Sequence, residues 1–301
     1  MESTAAPANK STQQNVYATV NEKIIEQLNK GIVPWQKPWT TGGFPKNLIT
    51  NRQYRGINVL LLAASDYEHN LFLTYQQLEK IGGRVKKGEK GHMVVYWNSG
   101  DKQKEQVEET VEGQEKKKAV LRYYYVFNIS QCDKIPEDYL PKTRETADMP
   151  TCESIVKNMP KCPVIRHKEQ KAFYDVVEDY VNMPKKRSFK TDAAYYSTLF
   201  HELVHSTGHH DRLDRTGVAE MAEFGDAAYS QEELVAEIGT CYLQSLAGIT
   251  GEFKNSTAYI QGWLSKLKND RRMIIAATSA AQKATDYILN QQQVKEEISE
   301  E

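Results

Sequence analysis

The segment His201-Glu202-Leu203-Val204-His205 constrains this chain more than any other five residues. On a helix, side chains four residues apart lie on one face, so the two imidazoles can grip a single metal ion. Glu202, between them, then reaches the water-filled coordination position. The surrounding stretch AAYYSTLFHELVHST, residues 193–207, carries Leu199, Leu203 and Val204 as an apolar stripe at helical spacing. Gly208 offers a stop, and the polar HHDRLDRTG that follows reads as a loop. A catalytic zinc site takes three protein ligands plus water, so the fold must deliver one more donor to the same point.

Two residues compete for that place. Glu233 opens Glu-Leu-Val-Ala-Glu on a second amphipathic helix over residues 231–246, with Leu234, Ile238 and Leu243 on its apolar side. Glu237, one turn on, is placed to accept a hydrogen bond from the far nitrogen of a liganding histidine. This resembles the gluzincin arrangement. The rival is Asp211, since His201, His205, Gly208 and Asp211 also resemble a metzincin pattern with an aspartate ligand. That pattern needs a methionine turn under the metal, and Met221 is the nearby candidate. Glu232 stands one residue out of register with Glu233. At a catalytic site, zinc would bring the pKa of its water towards about 7 and polarise a scissile carbonyl. Glu202 would take the proton and pass it to the leaving amine. Tyr229, His210 and Arg212 lie near enough in sequence to stabilise an oxyanion. His209 and His210 read as loop residues. Residues 171–184, KAFYDVVEDYVNMP, read as a sheet strand, and at a sheet edge such a strand would pair an extended peptide.

With 301 residues, two domains can each bury a core. No apolar run approaches a membrane span, and residues 1–15 are polar without a signal-peptide core, so no membrane partner and a cytoplasmic location are expected. The four cysteines, 132, 152, 162 and 241, form no CxxC pair and read as reduced thiols. Metal ligands here are therefore imidazoles and carboxylates. The net charge of −1 hides an asymmetry: residues 1–100 carry 12 basic and 7 acidic side chains, and the remainder 27 and 33. Different partners for the two halves follow.

In the N-terminal half, apolar residues at 16, 20, 24, 25 and 28 have the spacing of a helix that Gly31 ends. The next stretch, IVPWQKPWTTGGFPKN, interleaves Trp35, Trp39 and Phe44 with Lys37 and Lys46. NRQYRGIN then supplies Arg52, Tyr54 and Arg55 before an apolar helix over 59–64. Cations that follow phosphates and rings that stack on bases suit single-stranded nucleic acid. The same tryptophans would equally serve as core anchors in a Pro-rich loop. Residues 72–80 read as a short helix. Arg84, Lys86 and Lys87 sit in a glycine-rich basic turn, IGGRVKKGEKG, ahead of the strand HMVVYWN. No Walker loop is present. Residues 101–118 read as a mobile charged loop before a strand over 120–128, and residues 136–160 as a linker.

These pieces together carry a family likeness. PWQKPW, YRGIN, FLTYQQLEKIGGRVKKGEKG and YYVFN in one half, with YYSTLFHELVHSTGHHDRLDR, EELVAEIG and AYIQGWLSKLKND in the other, resemble the ArdC-type antirestriction proteins of plasmids and other mobile elements. The likeness runs from about residue 16 to about residue 288, although the charged 101–118 segment is longer than the family pattern needs. It implies an α+β protein: a small mixed domain that binds single-stranded DNA, over residues 16–148, then a zincin-like metallopeptidase domain over 149–290. Residues 1–15 would be disordered and 291–301 a polar tail. It also implies Zn2+, or another divalent metal such as Mn2+, on His201, His205 and Glu233, with Glu202 as acid/base. DNA contacts are expected at Trp35, Lys37, Arg52, Tyr54, Arg55, Arg84, Lys86 and Lys87. The implied role is protection of incoming plasmid DNA from host restriction. A protease that cleaves a specific host protein, or an accessory to priming, is the alternative.

Overall fold

A computed structural model describes residues 9–36, 44–63, 67, 69–98, 120–140, 151–219, 227–249 and 257–291. Helix α1 (Asn9–Asn29) buries Val16, Val20, Ile24 and Leu28 at one-turn intervals, and the chain leaves it at Gly31, where φ is +77°. It begins at Asn9, inside the run expected to be disordered, because no glycine or proline interrupts residues 9–15. Then follow β1 (Lys46–Asn47), α2 (Ile57–Ala63), β2 (Leu71–Thr74), α3 (Tyr75–Lys80), β3 (Arg84–Val85), β4 (His92–Asn98), β5 (Val120–Asn128) and β6 (Cys132–Asp133). The main sheet runs β1-β2-β5-β4, antiparallel except for β1 with β2, and β3 pairs with β6.

The helix expected over 72–80 is half strand. Leu71–Thr74 pairs with β5, and Thr74 then caps α3. The Thr74 hydroxyl accepts from the Gln77 N–H at 3.2 Å, while the Gln77 side chain accepts from the Thr74 N–H at 3.0 Å. That reciprocal cap fixes the change from strand to helix.

The C-terminal half contains α4 (Cys152–Asn158), β7 (Val164–Arg166), β8 (Phe173–Asp175), β9 (Tyr180–Asn182), α5 (Asp192–Ser206), α6 (Thr216–Ala219), α7 (Ala227–Leu246), α8 (Thr257–Asn269) and α9 (Met273–Ile288). Part of the expected linker is thus a helix: Thr151 caps α4 by accepting from the Ser154 N–H at 3.1 Å. Earlier in that linker Glu137–Tyr139 form a 3-10 turn, while residues 141–150, like the charged segment 101–118, lie outside the described residues. Residues 171–184 form a hairpin rather than one strand. The Asp175 carboxylate accepts from the Val177 and Glu178 N–H groups, and Asp179 takes φ +49°, which turns the chain. The sheet order β7-β9-β8 leaves β8 at an edge, antiparallel to β9.

The two halves share one core. The largest apolar cluster takes in the buried face of α1, Trp35, Val59 and Leu60, together with Leu203, Leu234, Tyr242, Trp263 and Ile274. Polar ties cross the same junction. Asn21 Nδ2 donates to the Leu267 carbonyl at 2.8 Å, the Tyr242 hydroxyl donates to the Gly56 carbonyl at 3.0 Å, and Arg55 pairs with Asp286. Trp35 is fully buried, packs edge-on against Trp263, and donates from its indole N–H to Glu237 at 3.2 Å. Trp35 is therefore an anchor. Its replacement by alanine should cost about 3–5 kcal/mol, the range for buried aromatic truncation. Denaturant unfolding checks this, and a loss below about 0.5 kcal/mol would mark Trp35 as a surface residue.

Candidate metal centre and nucleic-acid face

Helix α5 is capped by Thr191, whose hydroxyl accepts from the Ala194 N–H at 3.0 Å, and buries Leu199, Leu203 and Val204. The opposite stripe carries His201 and His205, whose Nε2 atoms face each other at 3.1 Å. Helix α7 supplies the third group. The Glu233 carboxylate lies 3.5 Å from His205 Nε2 and 3.7 Å from His201 Nε2. A tetrahedral ion with bonds of about 2.0–2.2 Å separates its donors by about 3.3–3.6 Å. Two imidazole nitrogens and a carboxylate at these spacings fit a divalent metal. Asp211 is not part of this group; it lies with His209 and His210 in the loop after α5. Met221, which the rival pattern required, lies outside the described residues.

Helix α7 can come this close because Gly239 has no side chain. A Cβ there would lie 2.9 Å from Val204. The far nitrogen of His205 meets Glu232 at 3.2 Å, and Arg215 holds Glu232 with two hydrogen bonds of 2.6 and 2.9 Å. Arg215 also donates to Thr207 Oγ1 and the Val204 carbonyl, so all three of its donor nitrogens are engaged. The residue one place out of register is therefore the one that orients His205. Glu237, expected in that role, instead accepts from Trp35 and from the Tyr259 hydroxyl. The crossing of α5 and α7 puts the residue before Glu233, rather than the one a turn after it, against His205.

Burial pulls the His201 pKa down to about 4, helped by the facing His205. Burial also opposes charge on His205, but its bonds to Glu232 and Glu233 outweigh that and hold it at about 10. Glu233 resists burial in the same way and falls to about 2 through His205. The pocket thus favours a cation between the two helices. Glu202 is only 8% exposed, and its burial lifts its pKa to about 7 despite the nearby His205. The Tyr174 N–H of β8 bonds to it. A carboxyl poised near neutrality beside the donor set can take up a proton and return it.

Of the three sequence candidates for an oxyanion donor, Tyr229 alone stands at the centre, bonded to Glu233. Arg212 is almost wholly buried and clamps the loop after α5 to the β8–β9 hairpin through Asp179, Tyr174 and the Ser206 carbonyl. His210 is exposed, 3.6 Å from Asp211.

The expected DNA contacts separate by burial. Trp35 and Tyr54 are buried and cannot stack on a base; Tyr54 packs edge-on against Phe72. Arg55 is committed to Asp286. Arg52, Arg84, Lys86 and Lys87 are exposed, with Lys86 Nζ 2.8 Å from the Ser130 carbonyl. Lys37 lies outside the described residues. Rings that the sequence did not single out are better placed. The β4–β5 register sets Trp97 against Leu121, Val95 against Tyr123 and Met93 against Tyr125, so all six share one face. Trp97, Tyr123 and Tyr125 remain 45%, 47% and 53% exposed. The basic turn feeds β4 at its Tyr125 end, where a Cβ on Gly91 would lie 2.9 Å from Tyr125.

Residues 14–127 match the N-terminal domain of anti-restriction factor ArdC, and residues 151–280 match the zincin-like metallopeptidase family. Crystal structures of the antirestriction ArdC protein from plasmid R388 are similar across nearly the whole chain. The Mn(II)-bound form is 38% identical, with TM-score 0.72, over 91% of this chain and 97% of that one. The metal-free form gives TM-score 0.73 over 92% and 99%. The chain belongs to the ArdC antirestriction family. Uncharacterized protein y4eC of Sinorhizobium fredii (strain NBRC 101917 / NGR234) is 31% identical over 93% of this chain and 94% of its own length. Two DNA primases TraC of Escherichia coli are 32% and 34% identical, and the chain spans only 21% and 28% of their lengths.

Within this ArdC-family chain, Arg215→Met leaves His205 without its clamped carboxylate. Affinity for a divalent ion should fall about 10- to 100-fold, as for other partners of liganding histidines. Asp211→Asn should leave it unchanged. Calorimetric titration of the metal-free protein with Zn2+ and Mn2+ checks both, and the reverse order would place the ion in the loop.

Proposed function

We propose that the chain is an antirestriction protein that binds single-stranded DNA on its N-terminal half and holds zinc, or manganese, on His201, His205 and Glu233. It would thereby protect incoming plasmid DNA from host restriction. The observation that carries this is the β4–β5 face. Its exposed rings Trp97, Tyr123 and Tyr125 stand beside buried Met93, Val95 and Leu121, and with Arg84, Lys86 and Lys87 ahead of β4 they suit a strand whose bases stack and whose phosphates meet cations. The TraC relatives are named DNA primases, which accords with a partner made of DNA. The domain division supported by the matched segments is residues 16–148 and 149–290, with the halves joined by their shared core.

The second reading is a metalloprotease that cleaves a specific host protein, and Glu202 favours it. A bound ion supplies Lewis acidity to water and carbonyl. Glu202 would hold and return the proton, Tyr229 would face the developing charge, and the edge strand β8 would accept an extended peptide.

Replacing Tyr123 and Tyr125 together by alanine should weaken single-stranded DNA binding by at least about 30-fold, at about 1 kcal/mol or more for each stacked base. Fluorescence anisotropy measures it, and unchanged affinity would remove the β4–β5 face from the account. Glu202→Ala should keep metal and DNA affinity and keep protection in a conjugation assay against a restricting host. Loss of protection with DNA binding intact would establish the protease reading instead.

A further inference from the structure

A cleft of about 530 Å³ opens where the two halves meet, walled by Tyr17 of α1, Trp97 of β4, Arg215, and the α9 face that carries Arg272, Ser279 and Lys283. Its volume is that of a small-ligand site. Tyr17 and Trp97 meet edge to face, with centroids 6.4 Å apart, and the Arg272 guanidinium lies 5.4 Å from the Tyr17 ring centre. Arg272 and Lys283 lie eleven positions apart in sequence, about 16 Å along a helix, and Ile275, Ala276, Ser279 and Ala280 line the face between them. Both cations are exposed, and among the described residues no carboxylate pairs with either.

Rings on one wall and exposed cations along a helix face suit a planar group joined to phosphates. Trp97 lines this cleft and also lies on the β4–β5 face that carries Tyr123 and Tyr125, so the two places share one exposed ring. Resting on the single-strand reading above, we infer that single-stranded DNA runs off the β4–β5 face into this cleft. A base lies against Trp97 and Tyr17, and the phosphates follow α9 between Arg272 and Lys283. The zincin-like half thus contributes directly to DNA binding. The strand then reaches Arg215, whose guanidinium holds Glu232 and, through it, His205. Bound DNA lies two side chains from the metal ligand.

The test uses the full-length, metal-loaded protein and a labelled oligothymidylate of roughly 15 nucleotides, a length within the span of single-strand binding sites. Anisotropy is read across a salt series for wild type, Arg272→Glu with Lys283→Glu, Tyr123→Ala with Tyr125→Ala, and Lys268→Glu. Lys268 is an exposed cation on α8 that does not line the cleft. The α9 double reversal should weaken binding about 10- to 100-fold at low salt and flatten the salt slope by about one to two units. Lys268→Glu should stay within about two-fold. If the α9 variant keeps wild-type affinity and slope while the tyrosine variant loses binding, the strand lies on the sheet alone and the cleft inference fails. An equal loss in Lys268→Glu would reduce α9 to a general field effect and also overturn it. If wild type binds no single strand, the reading beneath it fails too.

Discussion

Helix α5 brings two imidazoles to a point, and the rest of the metal site depends on how closely α7 can approach it. Two helices normally stand 8–10 Å apart, set by the side chains between them. Gly239 removes the obstacle opposite Val204, so α7 settles onto α5 and Glu233 reaches both histidines. Burial of Glu202 makes its proton transferable near neutrality. One missing side chain thus sets how closely the third donor approaches the two imidazoles.

Around that contact, charge is arranged in relay. Arg215 holds Glu232, Glu232 orients His205, and Glu233 completes the donors. A buried carboxylate without a cation is costly, so Glu232 can stand behind a ligand only because Arg215 is fixed by Thr207 and the Val204 carbonyl. One turn further along α7, Glu237 serves a different purpose. It satisfies the indole of Trp35 and the hydroxyl of Tyr259, joining the N-terminal half to the zincin-like half. Neighbouring acids on one helix therefore divide between a metal site and a domain junction.

Much of the metal site was legible because its information is local. A four-residue spacing fixes a helix face, Gly208 follows the HELVH helix, and Glu233 lies on a helix with its own apolar stripe. The choice of Glu232 over Glu237 was not legible, since it depends on the crossing of two helices rather than on the periodicity of either. Trp35 looked equally suited to stacking or burial, and its partners lie more than 200 positions away. Tyr123 and Tyr125 sit in a strand whose consecutive tyrosines hide which face is outward. Only the register with β4 sets Tyr123 and Tyr125 on the face that carries Trp97. The helix expected at 72–80 failed for a related reason: pairing with β5 overrode local propensity until Thr74 capped the turn.

The most direct test is anomalous diffraction from crystals of this protein grown with zinc. A single strong peak about 2.0–2.2 Å from Nε2 of His201, Nε2 of His205 and the Glu233 carboxylate is the predicted result. A peak bound by Asp211 in place of Glu233, or one seated only among His209, His210 and Asp211, would contradict the α5–α7 account.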